Sequence, residues 1–230
     1  MSTEAKTLTA SRVDTRKLAT MAMLVALAYI VTVVTRFPLI GAAPYLKYDP
    51  KSVVLVIGGF LYGPTAGGAM CLVVSLIEMF TVGQSGIIGF IMNVLASVAF
   101  VCPAAWIYRR FRTLKSAVVG LAVGVVALTA VMLLWNYLVT PLYQPNMTRE
   151  MVAGMLLPVI LPFNLLKGGL NMALTLLLYQ PVNNGLRRLH LLPALPDGET
   201  RRKIHVGNVL FGAALLVICL LVVRIMMQAA

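Results

Sequence analysis

The chain has 230 residues, of which 60% are hydrophobic and only 11% charged, with a formal net charge of +12. That balance leaves too little polar surface to cover a water-soluble globule, so lipid is the expected solvent. The charges cluster between apolar runs, as in loops joining membrane spans, and no interleaving of aromatic and basic residues suggests nucleic-acid binding.

Residues 1-16 are polar and read as a cytoplasmic, frayed N-terminal segment. A spanning helix needs roughly 20 apolar residues to cross about 30 Å of hydrocarbon. Helices are expected at about 17-35, 52-63, 64-81, 87-108, 117-143 and 151-180, with a further one at 205-227. The first apolar run exceeds the roughly 7 to 15 residues of a signal-peptide core and is read as a retained helix. The second is short, and Gly63-Pro64 separates it from the third by a tight turn.

Between the first two helices, RFPLIGAAPYLKYDPK (36-51) carries Pro38, Pro44 and Pro50, which oppose a regular helix. Its Leu39, Ile40, Tyr45 and Leu46 fit either a lid packed over the bundle or a loop lying among lipid headgroups. Residues 17-181 form the expected six-helix membrane domain. The segment 182-204 reads as a polar cytoplasmic linker, and 205-230 as an additional transmembrane helix.

Basic residues set the orientation. With the N-terminus inside, the cytoplasmic segments hold Lys6, Arg12, Arg16, Lys17, Arg109, Arg110, Arg112, Lys115, Arg187, Arg188, Arg201, Arg202 and Lys203, against Arg36, Lys47, Lys51 and Arg149 outside. The positive charge is thus mostly an orientation signal, with affinity for anionic lipid headgroups as its consequence.

Polar side chains inside spans are costly and mark candidate sites. Glu78 lies near the outer end of the third helix, Asn93 on the fourth and Asn136 on the fifth. Asn164, Lys167 and Asn171, spaced by three and four, share one face of the sixth. Pro158 and Pro162 just upstream make the entry to that helix irregular and free backbone carbonyls beside Asn164. Lys167 has three readings: a ligand-binding ammonium flanked by amides, an ion pair with Glu78 tying two helices together, or a group lining water. Asn93 alone is compatible with a simple interhelical hydrogen bond.

On the first helix, Ala22 and Ala26 are four apart, with Ala19 and Ala28 widening the small surface, suited to packing within the bundle or to docking another membrane subunit. Cys71, Cys102 and Cys219 lie in apolar runs and suggest neither disulfides nor zinc. His190 and His205 lie in or beside the linker, away from any metal-ligand pattern. There is no GxxxxGK[ST] phosphate loop, no metal site and no nucleophile-base pair, so neither ATP hydrolysis by that route nor catalysis is expected.

The segments TRKLATMAMLVALAYI, FPLIGAAPYLKYDP, FLYGPTAGG, NYLVTPLY and PFNLLKG, in this order over about residues 12-181, closely resemble the substrate-binding component of energy-coupling factor (ECF) transporters, and within them the riboflavin-specific type. The resemblance implies a non-enzymatic six-helix protein of the bacterial cytoplasmic membrane. Such a protein captures a vitamin outside and works with a membrane coupling subunit and two ATPase subunits, with riboflavin as transported ligand and no cofactor. It implies that Ala22 and Ala26 form the docking surface and that Asn136, Asn164 and Lys167 hold the flavin ring. The residue chemistry agrees, since the ring's pyrimidine edge alternates acceptors with an N–H donor, amides offer both kinds of group and an ammonium donates. Tyr45 and Leu46 of the apolar loop, with Asn93, are further expected contacts. The C-terminal helix departs from the family pattern and opens the alternative of a solitary facilitator without ATPases. Another vitamin as ligand and a membrane enzyme using Glu78 as base are the remaining readings.

Overall fold

The computed structural model describes residues 15–38, 46–83, 85–144, 147–188 and 206–228. The chain folds into helices α1 (Thr15–Thr35), α2 (Lys51–Tyr62), α3 (Pro64–Thr81), α4 (Gly86–Phe111), α5 (Leu114–Tyr143), α6 (Arg149–Met155), α7 (Leu161–Arg188) and α8 (Val206–Gln228). A π-helical turn, Leu156–Ile160, joins α6 to α7. Among the described residues, five stretches are long and apolar enough to cross a membrane: α1, α3, α4, α5 and the continuous Arg149–Leu186. α2 has 12 residues and falls short, as its sequence suggests.

Bulky apolar side chains such as Leu18, Ile30, Val34, Phe80, Trp106 and Leu134 are exposed around the bundle, a surface only lipid accommodates. The core is built from Leu24, Leu55, Val56, Met70, Phe100, Val101, Leu121 and Leu128.

Local chemistry explains the turns. Gly63 takes φ +97°, a conformation unfavourable for other residues, and Pro64 opens α3 where its missing N–H costs nothing. α5 starts on a capping box in which Thr113 Oγ1 accepts from the Ser116 N–H and Ser116 Oγ accepts from the Thr113 N–H. α4 and α5 approach closely because Gly120 and Gly124 face the α4 backbone, where a Cβ would stand 2.8 Å from the Ala104 carbonyl oxygen and 2.6 Å from that of Phe100.

Three features differ from the sequence expectation. The proline-rich connection holds a short antiparallel hairpin, β1 (Phe37–Pro38) with β2 (Lys47–Tyr48), pairing Phe37 with Tyr48 and Pro38 with Lys47. The tip of that connection, including Tyr45, lies outside the described residues, as do His190 and His205. α7 continues through Pro181 to Arg188, beyond the expected end near 180, since one proline forfeits a single backbone bond and the buried Leu186 anchors the extra turns. Ala28 is buried, whereas Ala19, Ala22 and Ala26 are exposed, so Ala28 does not belong to their surface.

α8 runs antiparallel along α7, with Gly212 over Leu177 and Ala173 and Cys219 against Gly169. It reaches the hairpin end of the bundle, where Tyr48, Phe163, Leu166, Leu170 and Cys219 form a second apolar cluster with Leu46, Leu216 and Val223 against it.

Candidate ligand-binding site

The polar residues singled out in the spans gather toward the hairpin end. Pro158 and Pro162 have no N–H to donate, and the chain here takes a π turn in which the Leu161 N–H reaches Leu156 O. Asn164, on the first turns of α7, is 3% exposed and donates from Nδ2 to Ile160 O at 2.8 Å. Asn136 sits near the end of α5, which packs against α7, five residues before Pro141. Its Nδ2 donates to Met132 O at 2.7 Å and its Oδ1 accepts from Thr140 Oγ1 at 3.0 Å. Both buried amides therefore bond within their own helices.

Lys167, one turn beyond Asn164, finds Asp49 and not Glu78. Its Nζ lies 3.5 Å from Asp49 Oδ2, which corrects the Lys167–Glu78 pairing among the sequence readings. Glu78, 3% exposed, is bound by Lys51 Nζ at 2.5 Å, and Asn93 Nδ2 stands 3.4 Å from the same Oε2. Lys51, counted among the outer-loop charges by sequence, is thus 2% exposed, the first residue of α2. Sequence reasoning missed both partners: Asp49 and Lys51 flank Pro50, one reaching α7 and the other α3.

Burial pushes the Asp49 carboxyl up, but the nearby charges of Lys167, Lys51 and Arg36 outweigh it and hold its pKa below the usual carboxylate value. The neighbouring Tyr48 phenol is pushed up, first by burial and then by the Asp49 charge. Tyr48 donates its hydroxyl to Asn171 Oδ1 at 3.1 Å, pinning the hairpin to the polar face of α7. Asn164, Lys167 and Asn171 therefore share an inward face beneath the hairpin, as their spacing implies. Leu46 joins the apolar cluster at the same end. Asn93 lines a small cleft of about 40 Å³ with Arg36, Met79, Gly83, Phe90 and Met92. Among the described residues no group of His, Cys, Asp or Glu is arranged to hold a metal.

A helical membrane bundle with a buried polar face closed by an extramembrane hairpin defines a multi-pass binding protein for a small polar ligand, of the kind found in membrane transport. The family model for the substrate-specific component of ECF transporters matches residues 16–179. The chain is 33% identical over 180 residues to the riboflavin transporter RibU of Staphylococcus aureus, covering 76% of this chain and 94% of that protein. It is 30% identical over 161 residues to the riboflavin transporter FmnP of Bacillus subtilis, covering 66% of this chain and 84% of that protein. A solved structure, described as that of the S component of a bacterial ECF transporter, superposes with a TM-score of 0.63 at 31% identity over 76% of this chain and 99% of that one. The chain belongs to the family of ECF transporter substrate-specific components. The family match ends at residue 179, so α8 lies beyond it.

Proposed function

We propose that this protein binds riboflavin and mediates its uptake across the bacterial cytoplasmic membrane as the substrate-specific subunit of an ECF-type transporter. The observation that carries the reading is the inward face of α7. Asn164 and Lys167 stand one turn apart behind a proline-loosened segment, with Asn136 on the adjoining α5. Two amides and an ammonium match the alternating acceptors and donor of a flavin's pyrimidine edge. Leu46 and Tyr45 are assigned to the wall covering the ring, and Asn93 to a peripheral contact. Riboflavin is cargo, not cofactor, and the protein is not an enzyme.

The N-terminus is placed in the cytoplasm, which puts the hairpin and the binding face outside. The partners are a membrane coupling subunit and two ATPase subunits. Ala22 and Ala26, exposed on α1, are the docking surface, where small side chains permit close helix approach. A second reading, a facilitator working without ATPases, is motivated by α8, which braces the ligand-bearing α7 from a position outside the family match.

The test is a fluorescence titration of riboflavin into the detergent-purified chain. Saturable quenching at one site per chain is expected. Lys167→Ala should weaken binding by about tenfold or more, the effect of losing a charged hydrogen-bond donor. Unchanged affinity in that variant would remove Lys167 from the site, and absence of binding by folded wild-type protein would withdraw riboflavin.

A further inference from the structure

The end of the bundle opposite the hairpin carries a basic turn with an open groove beside it. The turn from α4 to α5 reads RRFRTLK over residues 109–115, four bases and no acid, and Arg109, Arg110, Phe111 and Lys115 are exposed. Arg109 lies against Gly63 of the α2–α3 turn, which places these residues at the end away from the hairpin. The acids among the described residues are Asp49 and Glu78, both engaged at the hairpin end, and Glu150, past the far end of the 30-residue α5. None of these three carboxylates stands where it could neutralise Lys115.

The groove, of about 310 Å³, runs between the last turn of α4 and the first turns of α5, lined by Ile107, Phe111, Thr113, Lys115, Ser116 and Val119. Phe111 and Val119 are 66% and 54% exposed, walls suited to acyl chains. Cα–Cβ bonds tilt toward a helix's N-terminus, so Ile107 and Phe111 on α4 lean into the bilayer while Lys115, at the start of α5, leans out to the headgroups. Thr113 and Ser116 bond to each other, so the ammonium is the charged group the groove offers. Trp106, exposed next to Ile107, carries a ring that favours the headgroup level and sets this end at the membrane boundary.

An occupant must match both halves of the groove. A soluble anion leaves the apolar walls uncovered, a zwitterionic lipid brings a second cation beside Lys115, and an apolar helix would bury the ammonium unpaired. An acidic phospholipid matches both, with an acyl chain along Ile107, Phe111 and Val119 and its phosphate at Lys115. We infer that the α4–α5 groove is a discrete binding site for an anionic phospholipid, beyond the diffuse attraction of a basic membrane face for acidic lipid.

The test uses Trp106 as the reporter, since the sequence has two tryptophans and the other, Trp135, lies further along α5. The full-length chain is placed in phosphatidylcholine vesicles in which brominated phosphatidylglycerol, or brominated phosphatidylcholine as the reference, replaces part of the lipid. Trp106→Phe supplies the Trp135 background, and the difference reads quenching of Trp106. Phosphatidylglycerol is expected beside Trp106 in about fivefold preference to phosphatidylcholine, the effect of one basic side chain near an anionic surface. Lys115→Gln should remove most of that preference. Lys17→Gln, which takes the same charge from α1, a helix packed on α2 and α3, should leave it unchanged. Equal quenching by the two lipids overturns the site whether or not the groove variant folds. Equal loss of preference in the two variants also overturns it, because diffuse attraction would then account for the lipid.

Discussion

At the scale of single residues, the membrane interior turns each buried charge into a structural commitment. Glu78 and Lys51 are both nearly inaccessible and face each other at 2.5 Å, so each neutralises what would be an isolated ion in a medium that solvates it poorly. Lys51→Met should therefore destabilise the folded chain by about 3–5 kcal/mol, the usual cost of orphaning a buried partner, whereas adding Glu78→Leu should restore most of the loss. Thermal unfolding in detergent reads both variants. A single variant as stable as wild type would mean that Glu78 is held by something other than Lys51. The sequence singled out Asn136, Asn164 and Lys167 because polar side chains in an apolar run are conspicuous. It did not reveal the partners of Lys167 and Glu78, because Asp49 and Lys51 sit in the polar-looking approach to α2, where a charge gives no sign of being buried.

At the scale of elements, helix positions were legible from apolar length alone, and the expected spans fall within a few residues of α1 to α5 and α8. The prolines marked the irregular entry to α7, but they did not specify a π turn, since a proline removes a donor without dictating which carbonyl the next N–H will choose. The hairpin escaped because two-residue strands carry no periodicity. The α4–α5 seam, built on Gly120 and Gly124, went unread in the sequence, where a small-residue pair at helical spacing does not say which helix meets it. Packing there is backbone to backbone, so Gly124→Leu would drive a side chain into the Phe100 carbonyl. It should cost about 1–3 kcal/mol or more through overpacking. Gly154→Ala, where nothing lies within 4 Å of the added Cβ, is the matched control and should be neutral or slightly stabilising. Comparable melting temperatures for the two variants would contradict the tight seam.

At the scale of the whole molecule, the question is whether α8 changes how the protein works. α8 packs on α7, whereas α1 packs on α2 and α3 and keeps Ala22 and Ala26 exposed. The added helix thus packs on the element to which ligand binding is assigned without taking the side on which the family's coupling contact is assigned. That placement leaves the proposed coupling surface open and favours a coupled subunit over a solitary facilitator. Riboflavin accumulation in cells expressing this chain should accordingly fall to background when the ATPase subunits are deleted, while binding to the purified protein is unaffected. Sustained entry without them would instead make α8 the element that allows the bundle to release its ligand alone. Removal of residues 189–230 should then abolish that entry, whereas a coupled subunit would retain ATPase-dependent uptake after the same truncation provided α7 stays in place.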